Sequence, residues 1–365
     1  MSYVTAFGTA NPPSRVAQSR IADFMVKAMQ LGGKEERKLR AVFRSSGIDF
    51  RHSVLDDFAR TSDFSFFPNT DDLEPFPTTA ERMESFRRHA LSLSVEAVRN
   101  AFGTRFRGAD ISHLITVCCT GMYAPGLDID IMNCCGLSPA THRICLNFMG
   151  CYAAISAVRT ADALCRADAD ARVLIVCTEL CSLHFQKEFS EDNLLANALF
   201  ADGSAAVIVE SHTNQRVALR ALRFHSHILK EGDHDMAWNI GDTGFEMKLS
   251  SYIPDLIRNG IRQLAIACAS QAGLRIEDIA YFAIHPGGKR ILEAVEAELN
   301  IPPAGNRFAY DVLRDYGNMS SPSVLFVLRR IVDTLTKADH HQHVLSFAFG
   351  PGLTMESMVL QVECD

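Results

Sequence analysis

Short apolar runs rich in β-branched residues alternate along this chain with amphipathic stretches of period near 3.6, and the pattern occurs twice. Buried strands separated by helices imply an α/β fold. The strands expected are 114–118, 173–177, 205–209, 281–284 and 344–347; the helices are 87–102, 153–165, 253–272, 289–298 and 323–335. Asp110-Ile111-Ser112-His113-Leu114-Ile115 resembles Asp278-Ile279-Ala280-Tyr281-Phe282-Ala283, and each follows a long amphipathic helix. The segment beginning Phe200-Ala201-Asp202-Gly203 has a counterpart beginning Phe349-Gly350-Pro351-Gly352, and each leads into a strand. Two similar halves, 1–211 and 212–365, are the economical reading; chance similarity of short apolar segments is the alternative. The stretch 53–77 has no period and is expected to be a surface excursion.

At 365 residues and 47% hydrophobic, the chain can bury a large core. A formal charge of -7 without a Lys/Arg-rich run offers no face for a nucleic-acid backbone. No stretch approaches the ~20 apolar residues of a membrane span, and the first residues show no targeting pattern, so a cytoplasmic location is expected. The eleven cysteines lie mostly inside apolar runs, as small core residues do. The doublets Cys118-Cys119 and Cys134-Cys135 lack the spacer of zinc ligand pairs. No metal is expected, and the thiols should be reduced.

Three residues from distant stretches carry candidate chemistry. Cys151 follows Phe148-Met149-Gly150 and begins a helical run, where the macrodipole and free N–H groups favour thiolate and lower the thiol pKa. Gly150 permits a sharp turn that aims the sulfur outward. By position alone, a buried structural thiol explains Cys151 equally well. His285 ends an apolar strand ahead of Pro286-Gly287-Gly288, a place from which side chains face clefts. A lone histidine among 13 is more often structural. Asn318 sits in Tyr316-Gly317-Asn318-Met319-Ser320-Ser321-Pro322, a turn into a helix where capping is its ordinary task. Together the three suit thioester chemistry: a thiolate accepts an acyl group while imidazole and amide N–H groups donate to a developing oxyanion.

The motifs Met149-Gly150-Cys151-Tyr152-Ala153-Ala154, His285-Pro286-Gly287-Gly288, Tyr316-Gly317-Asn318-Met319-Ser320-Ser321 and Phe349-Gly350-Pro351-Gly352, in this order, resemble the type III polyketide synthases, the chalcone synthase family. The resemblance implies a thiolase fold of two halves layered αβαβα, a homodimer, and no organic cofactor or metal. Its substrates would be an acyl-CoA starter and malonyl-CoA, with no carrier protein. Carried onto this chain, Cys151 takes the starter, His285 stabilises its thiolate as an ion pair, and His285 and Asn318 hold the malonyl thioester as carbon dioxide leaves.

The same resemblance makes Phe200 an aromatic gate between the CoA tunnel and the cavity. Lys38, with Arg40 and Arg44 nearby, would contact the CoA phosphates, although two usual basic positions fall on Ala41 and Ser45. Gly287 and Gly288 would pass close to the pantetheine arm, and residues 349–352 (Phe349, Gly350, Pro351, Gly352) would form a loop at the cyclisation pocket. Met247 stands where plant members carry a second gating Phe, and Trp238 replaces a small residue. The first suits a long aliphatic starter and the second narrows the cavity; the segment looks like bacterial alkylpyrone or alkylresorcinol enzymes. Cys119, Glu179 and Ser320 correspond to a hydrogen-bonded set, beside Thr120, that activates water for aldol cyclisation in stilbene-type members. Cys119 is a weak donor in place of a hydroxyl, which favours lactonisation to a pyrone. His184 would add a titratable group to the starter pocket, and Ala124 would reach the partner's cavity. Rival readings are a ketoacyl-carrier-protein synthase III-like enzyme, a cysteine thioesterase and a silent subunit of the same fold.

Overall fold

The structure is a computed structural model and describes residues 1–232 and 235–364. The first half runs β1 (Tyr3–Ala10), β2 (Ser14–Ala17), α1 (Gln18–Ala28), α2 (Gly33–Ser45), β3 (Phe50–Ser53), α3 (Thr79–Phe102) and β4 (His113–Cys118). It continues through α4 (Leu127–Cys135), β5 (His142–Asn147), α5 (Ala153–Ala167), β6 (Arg172–Leu180), α6 (Glu191–Leu199) and β7 (Asp202–Glu210). The second half runs β8 (Val217–Ile228), β9 (Met236–Gly241), β10 (Gly244–Leu249), α7 (Ile253–Gln271), β11 (Tyr281–Ile284) and α8 (Lys289–Leu299). It ends with α9 (Arg307–Tyr316), α10 (Pro322–Val332), β12 (His343–Gly350) and β13 (Thr354–Cys364).

Nine strands pair in the order β11-β12-β13-β8-β1-β7-β6-β4-β5. The link between β8 and β1 is short, Tyr3 with Arg220 and Val4 with Leu219. It divides the sheet into a section from each half. Helices α5 and α10 touch strands of both sections, α3 covers the outside of the first, and α7 covers the outside of the second. The result is the five-layered αβαβα arrangement. A helix apolar on every side must be buried on every side. That describes the Ala-rich α5 and the run from Pro322 to Leu328 in α10, buried without interruption.

Helix α3 starts at Thr79, eight residues earlier than its apolar period suggests. The cause is a capping box, in which Thr78 accepts from Glu81 N–H while the Glu81 carboxylate accepts from Thr78 N–H. Strand β5 escapes apolar patterning because it is the sheet edge and is mostly exposed. Among the described residues no helix is long and apolar enough to cross a membrane.

The stretch 53–77 is irregular but is not the expected surface excursion. Phe58, Phe64, Phe67, Leu73 and Phe76 are buried, and Phe58, Phe67 and Phe76 lie with Phe24 and Phe185 in one aromatic cluster. The buried Asp57 organises it. Its carboxylate accepts from the N–H and hydroxyl of Ser65 and from the N–H groups of Phe66 and Phe67, at 2.7–2.9 Å. Asp57→Ala leaves those donors unpaired and should cost about 3 kcal/mol. It is read as a lower urea midpoint at unchanged slope; an unmoved midpoint would show that the aromatic packing alone holds the loop.

Candidate active site

Ahead of α5 the backbone turns left-handed twice, at Phe148 (φ 59°) and Gly150 (φ 88°). A Cβ on Gly150 would stand 2.4 Å from Cδ of Pro351. Glycine therefore lets the 349–352 loop close against the turn. Cys151 follows, one residue before the Tyr152 cap of α5, and lines a narrow cleft.

His285 continues β11 by one residue, its N–H donating to the Phe347 carbonyl at 2.8 Å. Asn318 comes from the turn between α9 and α10. Its N–H donates to Leu199 O and its carbonyl accepts from Ala201 N–H, both at 2.9 Å, making a parallel bridge with Phe200. Gly317 (φ 72°) makes this approach possible, because a Cβ there would meet Leu199 O at 3.0 Å. The Asn318 amide is oriented from both ends: Oδ1 accepts from Ser320 N–H at 2.8 Å and Nδ2 donates to Gly287 O at 3.3 Å. His285, Asn318 and Ser320 line the same cleft as Cys151.

Burial dominates the electrostatics. It pushes the Cys151 thiol up to about 12, against hydrogen bonds from Ser320 and Asn318 that favour the thiolate. The lowered thiol pKa expected at a helix start is therefore outweighed by desolvation. His285, 1% exposed, is pushed down to about 3 by burial, and neither ring nitrogen has a hydrogen-bond partner among the described residues. Each charge alone is disfavoured. One proton passing from sulfur to ring would place opposite charges in the same cleft, where they offset each other. The arrangement supplies a thiol nucleophile, an imidazole to take its proton, and N–H donors for an oxyanion.

Family models for the chalcone and stilbene synthases match residues 1–213 with the N-terminal domain and 222–363 with the C-terminal domain. This chain belongs to the chalcone and stilbene synthase family. It is a type III polyketide synthase, an acyltransferase of the condensing class. It is 32% identical to the alpha-pyrone synthesis polyketide synthase-like Pks18 of Mycobacterium tuberculosis over 369 residues, covering 99% of this chain and 91% of that protein. The type III polyketide synthase domain of Steely1 from Dictyostelium superposes with a TM-score of 0.91 at 29% identity, covering 99% of both chains. PKS-I of the brown alga Ectocarpus siliculosus gives 0.91 at 26%, covering 99% and 98%.

In this synthase the cleft continues in two directions. Through Leu249, Gly287 and Ile291 it reaches an outer mouth, which Gly288 also lines. Past Cys181, Phe200, Trp238 and Met247 it reaches an inner chamber bounded by Ile21, Met25 and Phe58 on one wall and by Arg51, His52 and Asn197 on another. Phe200 thus borders cleft and chamber, and does not line the mouth. Trp238 and Met247 are cross-strand partners in the β9–β10 hairpin, and the indole N–H donates to Cys119 O at 2.7 Å. Phe349 and Pro351 line the cleft; Gly350 and Gly352 stand behind them.

Several residues sit otherwise than expected. His184 adds no titratable group: Nε2 meets Thr120 O at 2.7 Å, Nδ1 accepts from Phe245 N–H at 2.9 Å, and burial lowers its pKa to about 3. Glu179 is sealed below the cleft and bonds Ser321 Oγ, Thr120 Oγ1 and Cys119 N–H at 2.8–2.9 Å, so Ser321 takes the place expected of Ser320. The left-handed Ser320 (φ 58°) is instead turned to Cys151. Lys38 pairs with Glu191, and Arg40 with Asp23 and Glu36; neither these nor Arg44 lines the mouth. Ala124 is exposed. The sequence reading missed Met236 and Leu249, although Met236-x-Trp238 and Met247-x-Leu249 carry the period-two signal of one hairpin face. Among the described residues one potential metal-holding group occurs, His340, His341 and Glu363. It lies at the opposite ends of β12 and β13 from the cleft.

Two outcomes follow. If His285 takes the thiol proton, His285→Gln should slow iodoacetamide alkylation of Cys151 at neutral pH by about tenfold or more; equal rates would separate the two residues. Burial raises Glu179 from 4.5 to about 7. Its ionisation therefore costs stability that is absent below 4.5, grows with rising pH, and is complete above 7. Glu179→Gln removes that cost, so its stability relative to wild type should rise between pH 4 and 8 by up to about 3 kcal/mol. A pH-independent difference in denaturation midpoints would refute the assignment.

Proposed function

We propose that Cys151 accepts an aliphatic acyl group from acyl-CoA, extends it with malonyl-CoA in successive decarboxylative condensations, and releases an α-pyrone. The observation that carries this reading is the fully buried His285, whose two nitrogens lack hydrogen-bond partners among the described residues while it shares a cleft with a thiol and an oriented carboxamide. Buried polar groups are ordinarily paired, so this ring is shaped for a substrate.

The thiol attacks the starter thioester as His285 takes its proton; the ring, a weak base here, returns that proton to the departing CoA sulfur. Malonyl-CoA then places its thioester carbonyl against N–H groups of neutral His285 and Asn318. Loss of carbon dioxide leaves an enolate whose oxygen they stabilise. The enolate carbon attacks the Cys151 thioester, forming the carbon–carbon bond and freeing the sulfur. This sequence asks for no resident cofactor or metal.

One wall of the inner chamber, Ile21, Met25, Phe58 and Phe185, supports an aliphatic starter, while Arg51, His52, Ser53 and Asn197 give another wall polar character. A pyrone is favoured over aldol closure by hydrogen-bond accounting. Cys119 Sγ accepts from Gly150 N–H at 3.0 Å, and Thr120 Oγ1 both donates to Glu179 and accepts from Leu180 N–H. Neither has a hydroxyl left over to pass a proton to water. Pks18, a relative, carries alpha-pyrone synthesis in its name. A homodimer through the exposed β5 edge and the neighbouring Met122 and Ala124 belongs to the same reading, as does a cytoplasmic location.

Incubation with malonyl-CoA and hexanoyl- or lauroyl-CoA, without carrier protein, should yield pyrone masses by mass spectrometry, and Cys151→Ala should yield none. A single-extension product that appears only with malonyl-carrier protein, or free acid released equally with and without malonyl-CoA, would overturn the reading.

A further inference from the structure

Coenzyme A ends in a diphosphate and a 3′-phosphate, so whatever holds it must supply cations. Of the α2 residues expected to do so, Lys38 Nζ lies 3.0 Å from Glu191, and Arg40 lies 2.7 Å from Asp23 and 2.8 Å from Glu36. Arg44 carries no ion pair among the described residues, and none of the three lines the mouth. The mouth that leads to Cys151 is walled on one side by Ser45 and Ser46, and on the other by Lys289 and Arg290 in the first turn of α8. Ser250 and Ser251 complete the rim, and among the described residues none that lines it is acidic. The walls meet at their base, where a Cβ on Gly47 would contact Lys289 Cβ at 3.4 Å.

We infer that Lys289 and Arg290 supply the phosphate contacts for the CoA substrates, in place of the basic residues of α2. Both are exposed. No carboxylate pairs with Arg290 among the described residues, and Lys289 has only the half-exposed Glu293 at 3.7 Å, a contact of little strength. In a chain of formal charge -7, a mouth lined by two cations and, among the described residues, by no acid draws polyanions toward itself. A guanidinium suits a phosphate by paired donors and an ammonium by point charge, and the hydroxyls of Ser250 and Ser251 add neutral donors beside them, whereas those of Ser45 and Ser46 already donate to Val42 O and Phe43 O. Ser45 occupies one of the two positions where the family pattern led us to expect a cation, so the charge has moved across the mouth rather than vanished.

The inference rests on the synthase reading, and equilibrium binding tests it without turnover. CoA and 3′-dephospho-CoA are titrated into the full-length protein, into Lys289→Ala/Arg290→Ala and into Lys38→Ala, at low and high salt. The double variant should bind CoA about tenfold more weakly and show a flatter salt dependence, as loss of two exposed phosphate contacts requires. In turnover the change should fall on KM for malonyl-CoA rather than on kcat. Malonyl-N-acetylcysteamine, which carries no nucleotide, should show no such KM rise and thereby confirms that the variant is folded. Unchanged affinity and salt dependence in the double variant, or a loss confined to Lys38→Ala, would overturn the assignment. If the wild type binds CoA yet decarboxylates no malonyl thioester, the synthase reading fails while the binding titrations still decide the mouth.

Discussion

Two helices whose N-terminal turns are buried on all sides set the conditions for everything at this site. Because α5 and α10 lie between the two sheet sections, their side chains contact strands from both halves of the chain. Each aliphatic residue so enclosed stabilises the fold by roughly 1.5–3 kcal/mol. Cys151 precedes the first turn of one helix, and Asn318 and Ser320 precede the first turn of the other. Both helices thus begin at the cleft with the positive ends of their dipoles. The packing that holds the halves together also brings the catalytic candidates to one place, and the Phe200–Asn318 bridge ties the two halves again at the cleft itself.

Such burial decides which protonation states the cleft can hold. Cys151 and Glu179 are pushed up, and His285 and His184 are pushed down, in each case chiefly by desolvation. The resting cleft is therefore biased toward neutral groups. A neutral imidazole keeps one N–H to donate, and in a low-dielectric cleft that donor counts for more than it would in water. Chemistry that creates one negative charge at a time, first on sulfur and later on an enolate oxygen, suits such surroundings. His184 shows the contrast: equally buried, it has both nitrogens committed to backbone groups and so serves as a clip between Thr120 and Phe245.

The α/β class was legible because it rests on a local signal, the apolar period; Cys151, His285 and Asn318 were singled out by the motifs around them, and the structure brings all three to one cleft. What was not legible depends on partners distant in sequence. The 53–77 stretch has no period because a single buried carboxylate, Asp57, orders it by accepting from the N–H groups of Ser65, Phe66 and Phe67. Ser320 and Ser321 exchange their expected roles through one left-handed φ, which composition does not signal. The basic residues of α2 read as a phosphate site until Glu191 and Asp23, well away in sequence, are seen beside them.

The opposed effects of Trp238 and Met247 on cavity size resolve in the hairpin that carries them. Trp238 is fixed, its indole N–H bonded to Cys119 O and its ring edge-on to His184 and Phe245, which stack on each other at 4.2 Å. Met247, directly across the strand pair, has no such tether and is the more adaptable side chain. The passage between cleft and inner chamber thus has one rigid wall and one that can repack. Phe200, its backbone held at Asn318, lines both cavities beside Met247. On the proposed reading, an acyl chain passing from Cys151 toward Ile21, Met25 and Phe58 would move the methionine rather than the tethered indole, so Met247 is where starter length would be set.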